Sequence, residues 1–166
     1  MRMISTAAAA LALGAIMATP ALAAAAGEYV SGHGALEVFD GAAFETTPTW
    51  VKVWLGIMLV TFASSIVFVR RHVIARWAFG GFLASFFLNG PLFQLLGLPV
   101  LSGSIAIAHL LFWTPVLVLL LKHRPFLEPD EPRAYRFWSG AMTFVILFSF
   151  VFDIRDAVIY VGHVMG

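Results

Sequence analysis

Four apolar segments, each close to the length of a bilayer crossing, constrain this chain more than any other feature. They run from about Trp50 to Val69, Trp77 to Leu98, Ser104 to Leu121 and Phe137 to Ala157. A helix needs roughly 20 predominantly apolar residues to cross about 30 Å of hydrocarbon. Inside that medium each backbone polar group must find its partner within the chain, which a helix achieves by itself. The expected fold is therefore an all-α integral membrane protein. It would be a four-transmembrane-helix bundle following a cleavable N-terminal signal peptide.

Composition supports a membrane solvent and excludes several chemistries. Hydrophobic residues make up 61% of the 166 positions and charged residues 11%, against about 25% charged in an ordinary soluble domain. Mean hydropathy is +0.92. A net charge of +1 provides no basic field for nucleic acid. The absence of cysteine excludes disulfides, thiolate metal sites, iron–sulfur clusters and a cysteine nucleophile.

Residues 1–23 have the three parts of a signal peptide. Arg2 is the positive n-region, Ala7 to Ala18 a short apolar core, and Ala21-Leu22-Ala23 a small-x-small cleavage pattern. Cleavage is expected after Ala23, with Ala24 to Ala26 as neighbouring sites and an uncleaved anchor as the alternative. Residues 24–49 carry Glu28, Glu37, Asp40 and Glu45 and no Lys or Arg, as an exported acidic segment would. The simplest expectation is a solvated tail with a turn or two of interfacial helix. The other is an acidic flap over the outer mouth of the 50–166 transmembrane domain.

Basic residues set the orientation. Arg70, Arg71 and Arg76 follow the first segment, and Lys122, Arg124, Arg133 and Arg136 lie between the third and fourth. Only Lys52 and Arg155 fall on the other side, so the positive-inside rule makes the two basic loops cytoplasmic. Both mature termini would then be periplasmic or exterior, in a bacterial inner membrane. An exported N-terminus is also what the signal peptide requires. Pro125 to Pro132, PFLEPDEP, reads as a stiff non-helical connector.

Polar residues inside apolar segments mark where chemistry would sit. In the last segment Ser149, Asp153, Asp156, Tyr160 and His163 follow spacings of four, three, four and three, which places them on one helix face. Counting about 1.5 Å per residue puts Asp153 about one turn inside the outer boundary, and Tyr160 and His163 at or beyond it. Arg155 points off that face, to snorkel or to pair with an acid of the exported segment. His109 lies about 8 Å into the outer leaflet, on a face with Ser102, Ala106 and Trp113, and Thr114-Pro115 bends the helix below it. Asn89-Gly90-Pro91 predicts a kink in the second segment, where Asn89 and Gln94 would satisfy freed carbonyls or line a cavity.

Two readings of these residues follow. In one, the last helix ends at Asp153-Ile154-Arg155-Asp156 and those charges are solvated. In the other, His109, Asp153, Asp156 and His163 converge, with Asn89 beside them. Histidine and carboxylate together suit a divalent metal such as zinc, iron or copper, and equally a proton relay or a polar substrate. Haem b is disfavoured, because it needs two facing histidines at comparable depth and His163 lies a turn or more above His109. The sixteen phenylalanines and five tryptophans would line a quinone, carotenoid or lipid pocket, or more simply serve packing. His72 and His123 read as interface residues without a ligand. Gly80-x-x-x-Ala84, Gly81-x-x-x-Ser85 and Ala63-Ser64-Ser65 would allow close helix approach.

No H-E-x-x-H, G-x-S-x-G or phosphate-binding glycine loop is present. The leading functional expectation is a non-enzymatic partner subunit or membrane scaffold, contacting lipid and either a membrane partner or its own copies. The alternatives are a metal-, haem- or quinone-dependent redox protein or enzyme using His109 and the Asp153/Asp156 face, and an oligomeric ion or small-solute conduit.

Overall fold

A computed structural model describes residues 29–166, so the expected signal peptide lies outside the described residues. Those residues are helical apart from turns and one isolated bridge between Ser31 and Val38. The elements are α1 (Gly41–Thr46), α2 (Thr49–Ala63, prolonged by a 3-10 turn over Ser64–Val67), α3 (Val73–Phe87), α4 (Asn89–Leu95), α5 (Ser102–His123) and α6 (Arg133–Met165). Thr49–Val67 and Ser102–His123 are long and apolar enough to cross a membrane, and α3 with α4 makes a third such span if the bent pair is taken as one.

Local chemistry sets the boundaries. The expected kink is a 55° bend between α3 and α4. Pro91 has no N–H for the carbonyl of Phe87, and the chain turns where that bond is lost. The second half ends at Gly97, whose φ of +67° is left-handed and suits a residue without Cβ. Its N–H donates to the Gln94 carbonyl, and Leu98 N–H to that of Phe93. Helix α5 continues through Pro115 and stops at Arg124, which adopts φ 47° just before Pro125. The connector that follows is non-helical up to Pro132. Helix α6 does not end at the charged residues. It is 33 residues long, about 50 Å at the α-helical rise.

Helix α5 packs against α3 on one side and, most extensively, against α6 on the other, while α2 touches both α3 and α6. Short connections run sequential neighbours antiparallel. Gly81 faces the backbone of α5 so closely that a Cβ would stand 2.6 Å from the Phe112 carbonyl oxygen. The second of the two small-residue pairs in α3 therefore makes a helix contact. Gly80, in the first, has nothing within 4 Å of that position.

Two cores result. The larger, toward the basic loops, joins Phe62, Phe82, Trp113, Tyr135, Trp138, Met142 and Ile146. Trp113 is stacked between Phe62 and His109, with ring centroids 4.4 Å and 3.9 Å away. The smaller core joins Val38, Phe93, Val100, Leu101 and Tyr160, with Tyr29, Leu36 and Leu98 against it. Val38 and Ala43 are each only 1% exposed, which corrects the expectation of a solvated tail for residues 29–47. This segment is folded onto the ends of α4, α5 and α6, because its apolar side chains complete a core that those helices leave open.

Candidate functional site

The polar face of α6 is continuous, as its spacing predicts, but its members reach to different elements. Ser149 Oγ lies 3.8 Å from Met58 Sδ on α2. The carboxylate of Asp153 meets His109 Nδ1 on α5 at 3.3 Å. Tyr160 donates its hydroxyl to the Pro99 carbonyl at 2.6 Å, in the connector between α4 and α5. His163 Nε2 is 3.1 Å from the Tyr29 hydroxyl, at the start of the described residues. Asp156 is half-buried, and its backbone carbonyl is one wall of the crevice that receives Gly103.

The His109–Asp153 pair is a largely enclosed side-chain contact between α5 and α6. The two side chains are 16% and 14% exposed, and the His109 ring stacks on the fully buried indole of Trp113 at an interplanar angle of 14°. Asp153 Oδ2 is buried and has no hydrogen-bond partner, as are Trp113 Nε1, Asn89 Oδ1 and Ser65 Oγ. Orphaned polar atoms in a low-dielectric setting cost about 1–3 kcal/mol each, so Asp153 keeps an unused acceptor at a position where that is expensive. The reading in which Asp153 is part of a solvated helix end is thereby corrected.

The four candidate ligands do not converge. Asp153 is against His109, whereas His163 is ten residues further along α6, about 15 Å at 1.5 Å per residue, and is exposed. Among the described residues no group of three or more His, Cys, Asp or Glu stands close enough to hold a metal ion. The same separation keeps His109 and His163 from facing each other across a haem. Asn89 is buried beside the bend, while Gln94 and Arg155 are exposed, so only Asn89 of those three is an interior group.

A second polar construction escaped the residue pattern because backbone atoms make it. Helix α5 begins at Leu101 without a side-chain cap, yet its first N–H groups are satisfied. Ser102 N–H and hydroxyl both donate to the Glu37 carbonyl, at 2.9 and 3.0 Å. Gly103 N–H donates to the Ala35 carbonyl at 2.8 Å. Free N–H groups at a helix start require such partners, and here residues 35–37 supply them. The approach is tight: a Cβ on Gly103 would be 2.5 Å from Tyr160 Cβ and 2.9 Å from the Ala35 carbonyl oxygen. The segment holds its own shape through Asp40, which accepts from Ala43 N–H at 2.9 Å and from the Ser31 hydroxyl at 2.6 Å. The Ala43 and Ser31 bonds hold the Asp40 carboxyl below its ordinary range.

At the other end His72 is not the idle interface residue its sequence context suggests. Its ring stacks on Tyr135 at 3.5 Å and 15°, with Glu131 3.8 Å from Nδ1. The only sequence signal for this contact is the aromatic content flanking both basic loops. Comparison of the chain with models of known families, with curated proteins and with solved structures gives no match.

Proposed function

We propose that this chain is a small polytopic inner-membrane protein that works as a non-enzymatic partner subunit or membrane scaffold. In this reading a cleaved signal peptide exports the N-terminus. Four crossings follow, made by α2, the bent α3–α4 pair, α5 and α6, with both mature termini on the periplasmic side. Support for α6 as the fourth is that Phe137 to Phe152 contains no charged residue.

The observation that carries the functional reading is how the α6 polar face is used. Ser149, Asp153, Tyr160 and His163 each bind a different element of the same chain, which is what a structural spine does. Helix α2 meanwhile has 11% of its apolar window buried, against 33% for α5, leaving its outer side to lipid or a neighbouring protein. Deleting the gene and purifying the tagged protein tests this. A chain that purifies alone and turns over a substrate ends the subunit reading. Because the sequence has no cysteine, single-cysteine labelling tests topology directly. His33→Cys should react from outside and Glu128→Cys only after the membrane is opened.

One observation favours a second reading, a proton-, metal- or redox-dependent protein centred on His109: the unpartnered buried oxygen of Asp153. A visible spectrum and metal analysis of the purified chain, together with the phenotype of Asp153→Asn, separate the two.

A further inference from the structure

A groove of about 370 Å³ lies between α3 and α5, lined by Arg76, Trp77, Gly80, Ala84, Leu111 and Pro115. Its depth comes from the absence of side chain at Gly80, where nothing lies within 4 Å of a would-be Cβ. The walls are apolar, and its one charged residue is Arg76, exposed at one end. The contact of Gly81 with Phe112 fixes the pairing of the two antiparallel helices, bringing the start of α3 beside the end of α5. Arg70, Arg71 and Lys122 therefore share that end with Arg76. Trp77 is 52% exposed there, and exposed tryptophan next to arginine is the pattern of a membrane surface.

We propose that this groove holds an acyl chain of an anionic phospholipid whose phosphate is bound by Arg76. The inference rests on the membrane reading above. An apolar slot ending in a cation matches a molecule with a hydrocarbon chain and a negative head, and basic recesses between transmembrane helices recognise such head groups. A second copy of the chain, whose Glu128, Asp130 and Glu131 lie on the same side as Arg76 in this reading, is the competing occupant.

The test is native mass spectrometry of the full chain, extracted in mild detergent and supplied with phosphatidylglycerol or phosphatidylcholine of equal chain length. The wild-type protein should retain phosphatidylglycerol preferentially. Arg76→Gln should lower that occupancy about five-fold, as expected for one arginine at an anionic head group, and leave phosphatidylcholine unchanged. Gly80→Leu, which fills open space and so spares the fold, should displace both lipids. Equal retention of the two lipids, or indifference to both substitutions, overturns the proposal. So does a two-chain species that Gly80→Leu splits into single chains, since a second copy would then occupy the groove. Alkaline carbonate washing keeps the premises apart. A chain released from membranes by carbonate defeats the membrane reading, whereas one retained but indifferent to head group defeats the lipid site alone.

Discussion

The two ends of this molecule are held together by different physics. Toward the basic loops, aromatic and aliphatic side chains of α2, α3, α5 and α6 stack around Trp113, and the polar contacts are few. The other end, where residues 29–47 dock, is built differently. Helix α4 bends away, the connector after Gly97 is irregular, and hydrogen bonds to backbone carbonyls take over. Lipid tails are as apolar as leucine, so burial from water does not hold helices together within a bilayer. Close packing and interhelical hydrogen bonds do. The first end relies on packing and the second on polar contacts, and their responses to mutation should differ accordingly.

Truncation in the packed end should have the largest effect. Trp113→Ala leaves a cavity between Phe62 and His109 and should cost about 4 kcal/mol, lowering the unfolding temperature of the whole helical body. If the end holding residues 29–47 melted first in this variant, the comparison would break. Next comes Gly103→Val, which forces a side chain into Tyr160 and the Ala35 carbonyl. Overpacking of this kind should cost about 3 kcal/mol. The loss should fall on the docked N-terminal segment, read as protease cleavage within residues 29–47 while the helices stay intact.

Asp153 sharpens the contrast further. Asp153→Ala strips His109 of its partner and should cost about 2 kcal/mol. Asp153→Asn preserves the shape and one hydrogen bond, so thermal stability should fall by under about 1 kcal/mol. If Asp153→Asn abolishes biological function while stability holds, the pair does more than join α5 to α6.

Much of this architecture is legible in the sequence, and what is not has a physical cause. The apolar runs, the bend at Asn89-Gly90-Pro91 and the shared face of Ser149, Asp153, Tyr160 and His163 all come from periodicity or from proline chemistry, which act locally. The pairing of His109 with Asp153 needed the relative rotation of two helices, which no spacing encodes. Convergence of His163 with that pair fails because α6 stays straight past Asp156, carrying His163 away. Docking of residues 29–47 was hidden because carbonyls of Ala35 and Glu37 perform it, and a carbonyl has no letter in the sequence. Even there Gly103 left a trace, being a residue without side chain where three segments meet.

Among the truncations Asp40→Ala should give the smallest effect, and it is one that pH tunes. The Asp40 carboxyl sits lower in the folded segment than in an unfolded chain, so its contribution is present above the ordinary carboxylate value and is lost as pH falls through the lower folded value. Asp40→Ala should weaken docking of residues 29–47 by about 1 kcal/mol, the usual worth of such a cap. That difference, followed by hydrogen exchange of the Ala43 amide, should shrink below about pH 4. A difference that persists in acid would show that the Ser31 and Ala43 contacts do not depend on the charge.

The bonds from Ser102 and Gly103 to the carbonyls of Glu37 and Ala35 also set an order of events. Residues 35–37 leave the ribosome long before α5 exists, and their partners are the first turn of that later helix. Tyr29 waits longer still, for His163 three residues from the end of the chain. The earliest described residues thus find their places only after α5 and α6, and a docked segment reports that both of those helices have arrived.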